Sequence, residues 1–166
     1  MVYIVEGIDR VGKTTFCEKF SKILNIPIFK PGIVETSNEE DAKLANYGSC
    51  KMLVDMVINL DVGDFIIDRF HWTEFVYGMT ERVYINSNVL DLEEVMSQHP
   101  DKFKVVYIVP TDLNRSSAEH GKSLEFHNDI FEWIYNRTKL PVLKTKYDGF
   151  INANSIEEVT GERTRW

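Results

Sequence analysis

The stretch Val2-Tyr-Ile-Val-Glu-Gly7-Ile-Asp-Arg-Val-Gly12-Lys13-Thr14-Thr15 contains the most specific pattern of this chain. Its first residues, Val2–Val5, form a short apolar run that predicts a buried strand, and a helical pattern begins at Lys13. Between them the sequence matches G-x-x-x-x-G-K-[ST], the pattern of a loop whose backbone N–H groups surround phosphate oxygens. Such a loop needs a strand before it and a helix after it. The segment therefore predicts a P-loop that binds a nucleoside triphosphate.

The residue types of this loop predict separate roles. Glycines allow the backbone to approach the phosphates, and Lys13 reaches the β and γ phosphates of ATP. Thr14 is a candidate ligand of Mg²⁺. We therefore expect ATP and Mg²⁺ as cofactors. The predicted ATP site consists of Gly7, Asp9, Val11, Gly12, Lys13, Thr14, Thr15 and, much farther along the chain, Arg115.

A second pattern, Phe65-Ile-Ile-Asp68-Arg69-Phe70, is an apolar strand that ends in an acid followed by a base. The carboxyl ends of strands are where α/β sheets place their ligands. Asp68 can bind Mg²⁺ through water, and Arg69 can bind the phosphate of an acceptor with its planar fork. The predicted metal site is therefore Thr14 with Asp68.

Short apolar runs alternate with helical patterns along the chain, which favours an α/β fold. The expected architecture is a three-layer sandwich of the P-loop NTPase type, with a five-stranded parallel sheet between helices. One domain spans residues 1–166, because no repeat or linker divides the sequence. The predicted strands are Val2–Val5, Pro27–Phe29, Phe65–Ile67, Val105–Val109 and Pro141–Leu143. The predicted helices are Lys13–Leu24, Asn38–Asn59, Thr73–Arg82, Leu92–Ser97, Asp112–Glu119 and Leu124–Thr138.

Composition excludes several classes of protein. The formal charge of −7 over 166 residues argues against a broad basic surface for nucleic acid or anionic lipid. No apolar stretch approaches the length of about 18 residues that a membrane helix needs, and no basic leader precedes the first strand. Cys17 and Cys50 do not resemble a disulfide framework. We expect a cytoplasmic enzyme with a small-molecule substrate and no membrane partner, and a nucleic-acid partner is not favoured.

The two motifs together resemble those of the thymidylate kinase family, E-G-x-D-x-x-G-K-T-T and D-R-[YF]. Here they span Glu6–Thr15 and Asp68–Phe70. The likeness continues in Thr73 and Tyr77, which match a further serine and tyrosine of the second motif, and more weakly in Leu124–His127 and Ile151–Asn154. The resemblance implies a nucleoside monophosphate kinase of nucleotide biosynthesis, which uses ATP with magnesium. Relatives of this kind commonly form homodimers, so the resemblance also suggests a homodimer.

Arg10 within the loop resembles the family type that has a catalytic arginine there. The other type places its arginines in a lid, and the expected lid of this chain, about residues 114–123, contains only Arg115 and Lys122 as cations. An arginine over the transferred group would stabilise charge on its equatorial oxygens. The resemblance also implies that Asp9 binds the 3′-hydroxyl of the sugar. The predicted catalytic residues are Arg10, Lys13, Asp68 and Arg69.

The family usually binds the thymine ring through an arginine on the helix before the D-R-Y strand. This chain has no arginine between Arg10 and Arg69, so Lys43 or Lys51 is the candidate substitute. A lysine does not provide the same fork, and the identity of the base stays open.

Lys30 indicates the class of acceptor. Deoxynucleoside kinases, a neighbouring family, carry a glutamate at this place as the general base for a hydroxyl, whereas a lysine would attract a phosphate. We expect a pyrimidine deoxynucleoside monophosphate similar to dTMP. Deoxynucleoside kinase activity, with Glu35 as base, stays open, as does a hydroxyl of a modified base or end in DNA; a nucleotide-dependent switch is the least favoured alternative. The predicted acceptor site consists of Asp9, Lys30, Arg69, Phe70 and Tyr77.

Overall fold

The computed structural model describes residues 1–34, 36, 38–82, 84–111, 124–147 and 149. These residues form one five-stranded sheet in which every paired strand is parallel to its neighbour. The strands lie in the order β2-β3-β1-β4-β5. Their bounds are β1 Val2–Glu6, β2 Ile28–Phe29, β3 Phe65–Asp68, β4 Phe103–Val109 and β5 Val142–Lys146.

Helices cover both faces of the sheet. Residues of β1 alternate between the two faces: Tyr3 and Val5 pack with Phe16 and Phe20 of the first helix, while Ile4 belongs to the opposite core. The other helices pack on that opposite core, which gives three layers and confirms the predicted α/β fold of the P-loop type. The helices are α1 Lys13–Leu24, α2 Glu39–Asn59, α3 His71–Thr80, α4 Asn88–Ser97 and α5 Leu124–Tyr135.

The start of α3 differs from the prediction, which placed it at Thr73. The helix begins at His71 because the buried Glu6 carboxylate accepts hydrogen bonds from the backbone N–H groups of Phe70 and Trp72. This acceptor comes from a strand more than sixty residues earlier, and no local pattern indicates it. By contrast, α2 begins after Asn38, whose side chain accepts from the N–H groups of Glu40 and Asp41, as its residue type predicts.

The bounds of other helices and strands differ from the predicted bounds by a few residues. The predicted strand Pro141–Leu143 extends to Lys146 because it pairs with β4 over its whole length. Helix α4 begins at Asn88 rather than Leu92, and α5 ends at Tyr135 rather than Thr138. The predicted helix Asp112–Glu119 lies outside the described residues. That the chain is a single domain stays a prediction.

The sheet brings the two motifs together. Val5 is paired with Asp68 in the register of β1 and β3, so the loop after β1 and the Asp68–Arg69 pair lie at the same edge of the sheet. Cys17 and Cys50 are free, in agreement with the lack of a disulfide pattern in the sequence, and both are buried. Among the described helices, none is long and apolar enough to cross a membrane.

Candidate active site

The loop between β1 and α1 lies tightly against the ends of β4 and β5. Gly7 has a φ of 145°, and a Cβ atom there would lie 2.4 Å from the carbonyl oxygen of Ile108. Gly12 has a φ of 84°, and its Cβ would lie 2.8 Å from the Tyr147 ring. Both positions require glycine because any side chain would meet strained backbone and an occupied space. The loop therefore has the shape that the motif predicts.

Lys13 is buried beneath this loop, with only 3 % of its surface exposed. Its Nζ donates to the carbonyl oxygen of Gly7 at 2.7 Å and to that of Ile8, and it lies 3.6 Å from Oδ1 of Asp9. Burial and, after it, repulsion from Arg69 lower the pKa of Lys13 to about 8, although nearby carboxylates oppose the shift. At neutral pH the group is still a cation, placed in the concave side of the loop.

Thr14 and Asp68 meet across the cleft. The Thr14 hydroxyl donates to Oδ2 of Asp68 at 2.9 Å, and Lys30 Nζ lies 3.7 Å from the same oxygen. Asp68 is 2 % exposed, and its other oxygen, Oδ1, accepts no hydrogen bond within the described part of the chain. An unsatisfied carboxylate oxygen beside a hydroxyl fits Mg²⁺, which binds through one or two protein oxygens, water and phosphates. The described residues contain no group of three or more metal-binding side chains.

Arg69 is fixed in a rare backbone conformation, with a φ of 73°. Its own N–H donates to the carbonyl of Val5 at 3.1 Å, and the next residue is bound by Glu6. The side chain lies 3.3 Å from Oδ1 of Asp9, and Nε is buried without an acceptor among the described residues. Strained residues of this kind persist where surrounding contacts determine them, often at functional sites. The guanidinium is therefore held facing the loop.

Glu6 has a structural role that was not predicted from the sequence. It is fully buried and accepts from the N–H groups of Phe70 and Trp72 and, at 2.5 Å, from the hydroxyl of Thr73. Burial raises the pKa of Glu6, although His71, Thr73 and Lys13 oppose the shift. The carboxylate positions the turn that carries Arg69. Its signal in the sequence was an acid at the end of an otherwise apolar strand.

A cavity of about 810 Å³ opens beside the loop. Such a volume is typical of small-molecule sites. Its walls come from the segment after β2, from α2 and from α3. It brings together all the acceptor residues that the sequence predicts: Asp9, Lys30, Arg69, Phe70 and Tyr77, with Asp68 beside them. Lys30 lies at the mouth, with 58 % of its side chain exposed.

Tyr77 connects α3 to the loop. Its hydroxyl accepts a hydrogen bond from the backbone N–H of Asp9 at 2.9 Å, and burial raises its pKa. Phe70 is buried at the start of the same helix and also lines the cavity. These contacts place both aromatic residues at the site, while their binding roles stay predictions.

The suggestion that Lys43 or Lys51 replaces the missing arginine is not supported. Lys43 pairs with Glu39 and Glu40 on the surface of α2, and Lys51 pairs with Asp55. Neither lysine lines the cavity. The cavity contains Arg82 instead, which follows α3 and belongs to no motif. Sequence reasoning missed it because only the tertiary fold brings it back to the pocket.

The remaining residues of the predicted ATP and catalytic sites lie on the loop, on the first turn of α1 or outside the described residues. Arg10 is exposed on the loop with a φ of 65°, Val11 packs against both cores, and Thr15 is exposed on the first turn of α1. Arg115, Lys122 and the rest of the expected lid lie outside the described residues, as does Glu35. The catalytic and binding roles assigned from the sequence are therefore predictions, supported by position where the residues are described.

The parallel sheet and the glycine loop that faces an acid–arginine pair define an α/β protein of the P-loop fold. The chain is 28 % identical over 141 residues to a protein named "Putative thymidylate kinase" from Acidianus bottle-shaped virus (isolate Italy/Pozzuoli), covering 81 % of this chain and 85 % of the relative. No protein-family profile matches the chain. The resemblance stated from the sequence is thus confirmed, and the comparison supports the predicted enzyme class, a nucleoside monophosphate kinase.

Solved structures share the fold. The YorR protein of Bacillus subtilis, solved in complex with phosphorylated GDP, superposes with a TM-score of 0.66 at 22 % identity, covering 90 % of this chain and 89 % of the other. Thymidylate kinase from Candida albicans superposes with a TM-score of 0.51 at 16 % identity, covering 86 % and 82 %. At these identities the likeness establishes the fold alone.

Proposed function

We propose that this protein transfers the γ-phosphoryl group of Mg-ATP to a pyrimidine deoxynucleoside monophosphate, with dTMP as the expected acceptor. One observation supports this most strongly: the cavity beside the Lys13 loop carries two cations at its mouth, Arg69 and Lys30, next to Asp68. An anionic acceptor is attracted by such a pair, whereas a neutral nucleoside gains little from it. The name of the viral relative agrees with this acceptor.

On the donor side, the loop N–H groups and Lys13 bind the phosphate tail of ATP, and Arg10 neutralises charge on the transferred group. Thr14 and Asp68 would hold Mg²⁺, since their oxygens lie 2.9 Å apart and Asp68 has a second oxygen in need of a partner. A metal ion bound there supplies positive charge to the phosphates. Removal of divalent metal by a chelator is expected to abolish turnover.

On the acceptor side, Arg69 and Lys30 bind the monophosphate and aim one of its oxygens at the γ-phosphorus. A bond forms between that oxygen and the γ-phosphorus, and the bond from the γ-phosphorus to the bridging oxygen breaks, which releases ADP. The attacking oxygen is already an anion, so the step requires no general base. A lysine at position 30, where a hydroxyl acceptor would need a carboxylate, suits this chemistry.

The test is a product assay. Purified protein is incubated with Mg-ATP and, separately, with each deoxynucleoside, each deoxynucleoside monophosphate and a short oligonucleotide, and the species that gains phosphate is identified. We expect a diphosphate from dTMP. Phosphorylation of nucleosides alone, or of the oligonucleotide alone, would contradict the proposed acceptor. ATP consumption without any phosphorylated acceptor would favour a nucleotide-dependent switch.

The homodimer and the cytoplasmic location also belong to this proposal. Analytical ultracentrifugation of the purified chain tests the first, with a sedimenting mass of twice 19.3 kDa as the expected result. A single species at the mass of one chain would contradict it.

A further inference from the structure

A second carboxylate besides Glu6 anchors the first turn of α3. Oε1 of Glu93, on α4, lies within hydrogen-bond distance of three donors: Nε2 of His71 at 3.1 Å, Nε1 of Trp72 at 2.5 Å and the Thr138 hydroxyl at 3.0 Å. His71 and Trp72 are fully buried, and the side chain of Glu93 is 13 % exposed. A carboxylate so far from water needs such donors. Here they come from two distant segments and share one oxygen.

These bonds decide the ionisation of Glu93 and the orientation of His71. Burial raises the pKa of Glu93, but the contacts with His71, Trp72 and Thr138 outweigh it and the net shift is downward. Glu93 is therefore a carboxylate at neutral pH, which only accepts hydrogen bonds, so Nε2 of His71 is the donor. Nδ1 of His71 is buried and has no hydrogen-bond partner within the described ranges. The bond to Glu93 is thus what orients the His71 ring.

The turn between β3 and α3 is held by two different elements. From β1, the Glu6 carboxylate accepts from the backbone N–H groups of Phe70 and Trp72. From α4, Glu93 accepts from the side chains of His71 and Trp72. Burial raises the pKa of Glu6, and His71 is the strongest of the groups that oppose this rise, so His71 lies close to both carboxylates. Together the two acids fix this turn.

Arg69 is part of the same turn. Its φ of 73° is a conformation that persists only where surrounding contacts determine it. Its guanidinium lies 3.3 Å from Asp9 of the loop. Only one residue separates Arg69 from His71, so the position of the His71 ring limits the backbone conformations that Arg69 can adopt. Neither His71 nor Glu93 lines the cavity, and their effect on a ligand must pass through other residues.

We propose that Glu93, through His71, is a positioning residue for phosphoryl transfer, which keeps the turn after β3 in the conformation that directs Arg69 at the phosphate of the acceptor. This inference rests on the proposed monophosphate kinase activity, in which Arg69 binds that phosphate. A charged hydrogen bond to a ligand depends on a donor that is already in place, so a turn that relaxes should weaken acceptor use and leave ATP binding unchanged.

The experiment measures kcat/KM for dTMP at saturating Mg-ATP and the KM for ATP at saturating dTMP. Glu93→Gln keeps the volume of the side chain but replaces the shared carboxylate by a neutral amide. We expect kcat/KM for dTMP to fall about tenfold and the KM for ATP to stay within about twofold. Glu94→Gln is the matched control, because it removes the same charge from the next residue, which pairs with Lys139 on the surface. It should have wild-type kinetics.

Two further comparisons separate positioning from a general loss of stability. His71→Phe keeps a ring but loses the Nε2 donor, so kcat/KM for dTMP should fall as in Glu93→Gln, whereas His71→Gln keeps a neutral donor and should recover part of the loss. If Glu93→Gln does not fold, these two variants provide the same test. In an Arg69→Gln background, Glu93→Gln should cause no further fall, because the group that it positions is already absent.

The inference is wrong if folded Glu93→Gln, checked by thermal unfolding, keeps the wild-type kcat/KM for dTMP, or if it lowers that value equally with and without Arg69. A matching rise in the KM for ATP would also contradict it. If the wild type phosphorylates no monophosphate, the proposed function has failed instead. Hydrogen exchange at the backbone N–H groups of Phe70 and Trp72 then decides separately whether Glu93 holds the turn. Exchange should be faster in Glu93→Gln than in Glu94→Gln, and equal rates would overturn the inference.

Discussion

The loop from Gly7 to Thr14 and the cavity beside it are built by different means. The loop consists of consecutive residues, and its shape depends on backbone that passes 2.4 Å from where a Gly7 side chain would have to lie. The cavity is formed by side chains from the segment after β2, from α2 and from α3, around about 810 Å³ of space. Changes in the loop should therefore impair every substrate alike, whereas changes in the cavity should alter the choice among acceptors.

The largest effect is expected from Lys13→Ala. The variant removes a buried cation from the loop, so kcat should fall by at least about 10²-fold, by the same factor for every acceptor. A coupled assay of ADP release measures it, and circular dichroism checks the fold. Lys22→Ala, an exposed lysine in the last turn of α1, is the control and should retain wild-type turnover. If kcat of Lys13→Ala falls by different factors for different acceptors, the loop also takes part in the choice of acceptor, contrary to this expectation.

Gly7→Ala should lower the stability of the protein as well as its activity. The added Cβ meets the Ile108 carbonyl and the backbone has a φ of 145°, so the free energy of unfolding should fall by about 3 kcal/mol. Chemical denaturation measures it. Gly48→Ala is the counterpart on α2, where nothing lies within 4 Å of the new Cβ, and it should stabilise the protein by about 0.5–1 kcal/mol. Equal effects of the two substitutions would show that the loop is not constrained.

Lys30→Ala tests the cavity, where a change should affect the acceptor and not ATP. Because Lys30 is exposed at the mouth, its removal should raise the KM for the monophosphate about tenfold and leave kcat within about twofold. The KM for ATP should not change. Steady-state kinetics in both substrates at two salt concentrations measure this, and the effect should shrink at high salt. A change in the KM for ATP alone would place Lys30 on the donor side.

The smallest effect concerns pH. The pKa of Lys13 is lowered to about 8 by burial, so below pH 8 the group is a cation in the free protein and above pH 8 it loses its proton. A bound triphosphate favours the cation, so affinity for ATP should be constant from pH 6.5 to 7.5 and weaken above about pH 8, by at most tenfold per pH unit. Fluorescence titration with an ATP analogue measures it.

Lys13→Arg is the control for this pH dependence, because a guanidinium stays protonated throughout that range. Its affinity for the analogue should not fall between pH 8 and 9.5. If the wild-type affinity is also constant over that range, Lys13 is not the group that titrates.

The fold and the position and shape of the loop after β1 were predictable from local patterns. The strand before Gly7, the helix from Lys13 and the helix that follows Asn38 all depend on neighbours in the chain, and the structure has them within a residue of the predicted positions. The helix after β3 was placed two residues late because its cap is Glu6, whose contact with Phe70 spans sixty-four positions.

The acceptor cavity shows more clearly what local sequence patterns do not predict. Lys43 and Lys51 were reasonable candidates as cations on the helix before β3, yet both pair with acids on the surface of that helix. Which face of α2 turns toward the cavity depends on how the helix packs, and its pattern of apolar residues is weak.

The sequence by itself therefore determined the class of fold, the phosphate-binding loop and the acid–arginine pair at the end of β3, because each is a run of neighbouring residues whose chemistry is local. The tertiary structure alone decided that Glu6 positions Arg69 and that Glu74, Arg82, Tyr84 and Asn46 are joined by hydrogen bonds. Contacts between distant segments depend on the packing of whole helices. The free energy of that packing comes from many side chains, so no single motif predicts it.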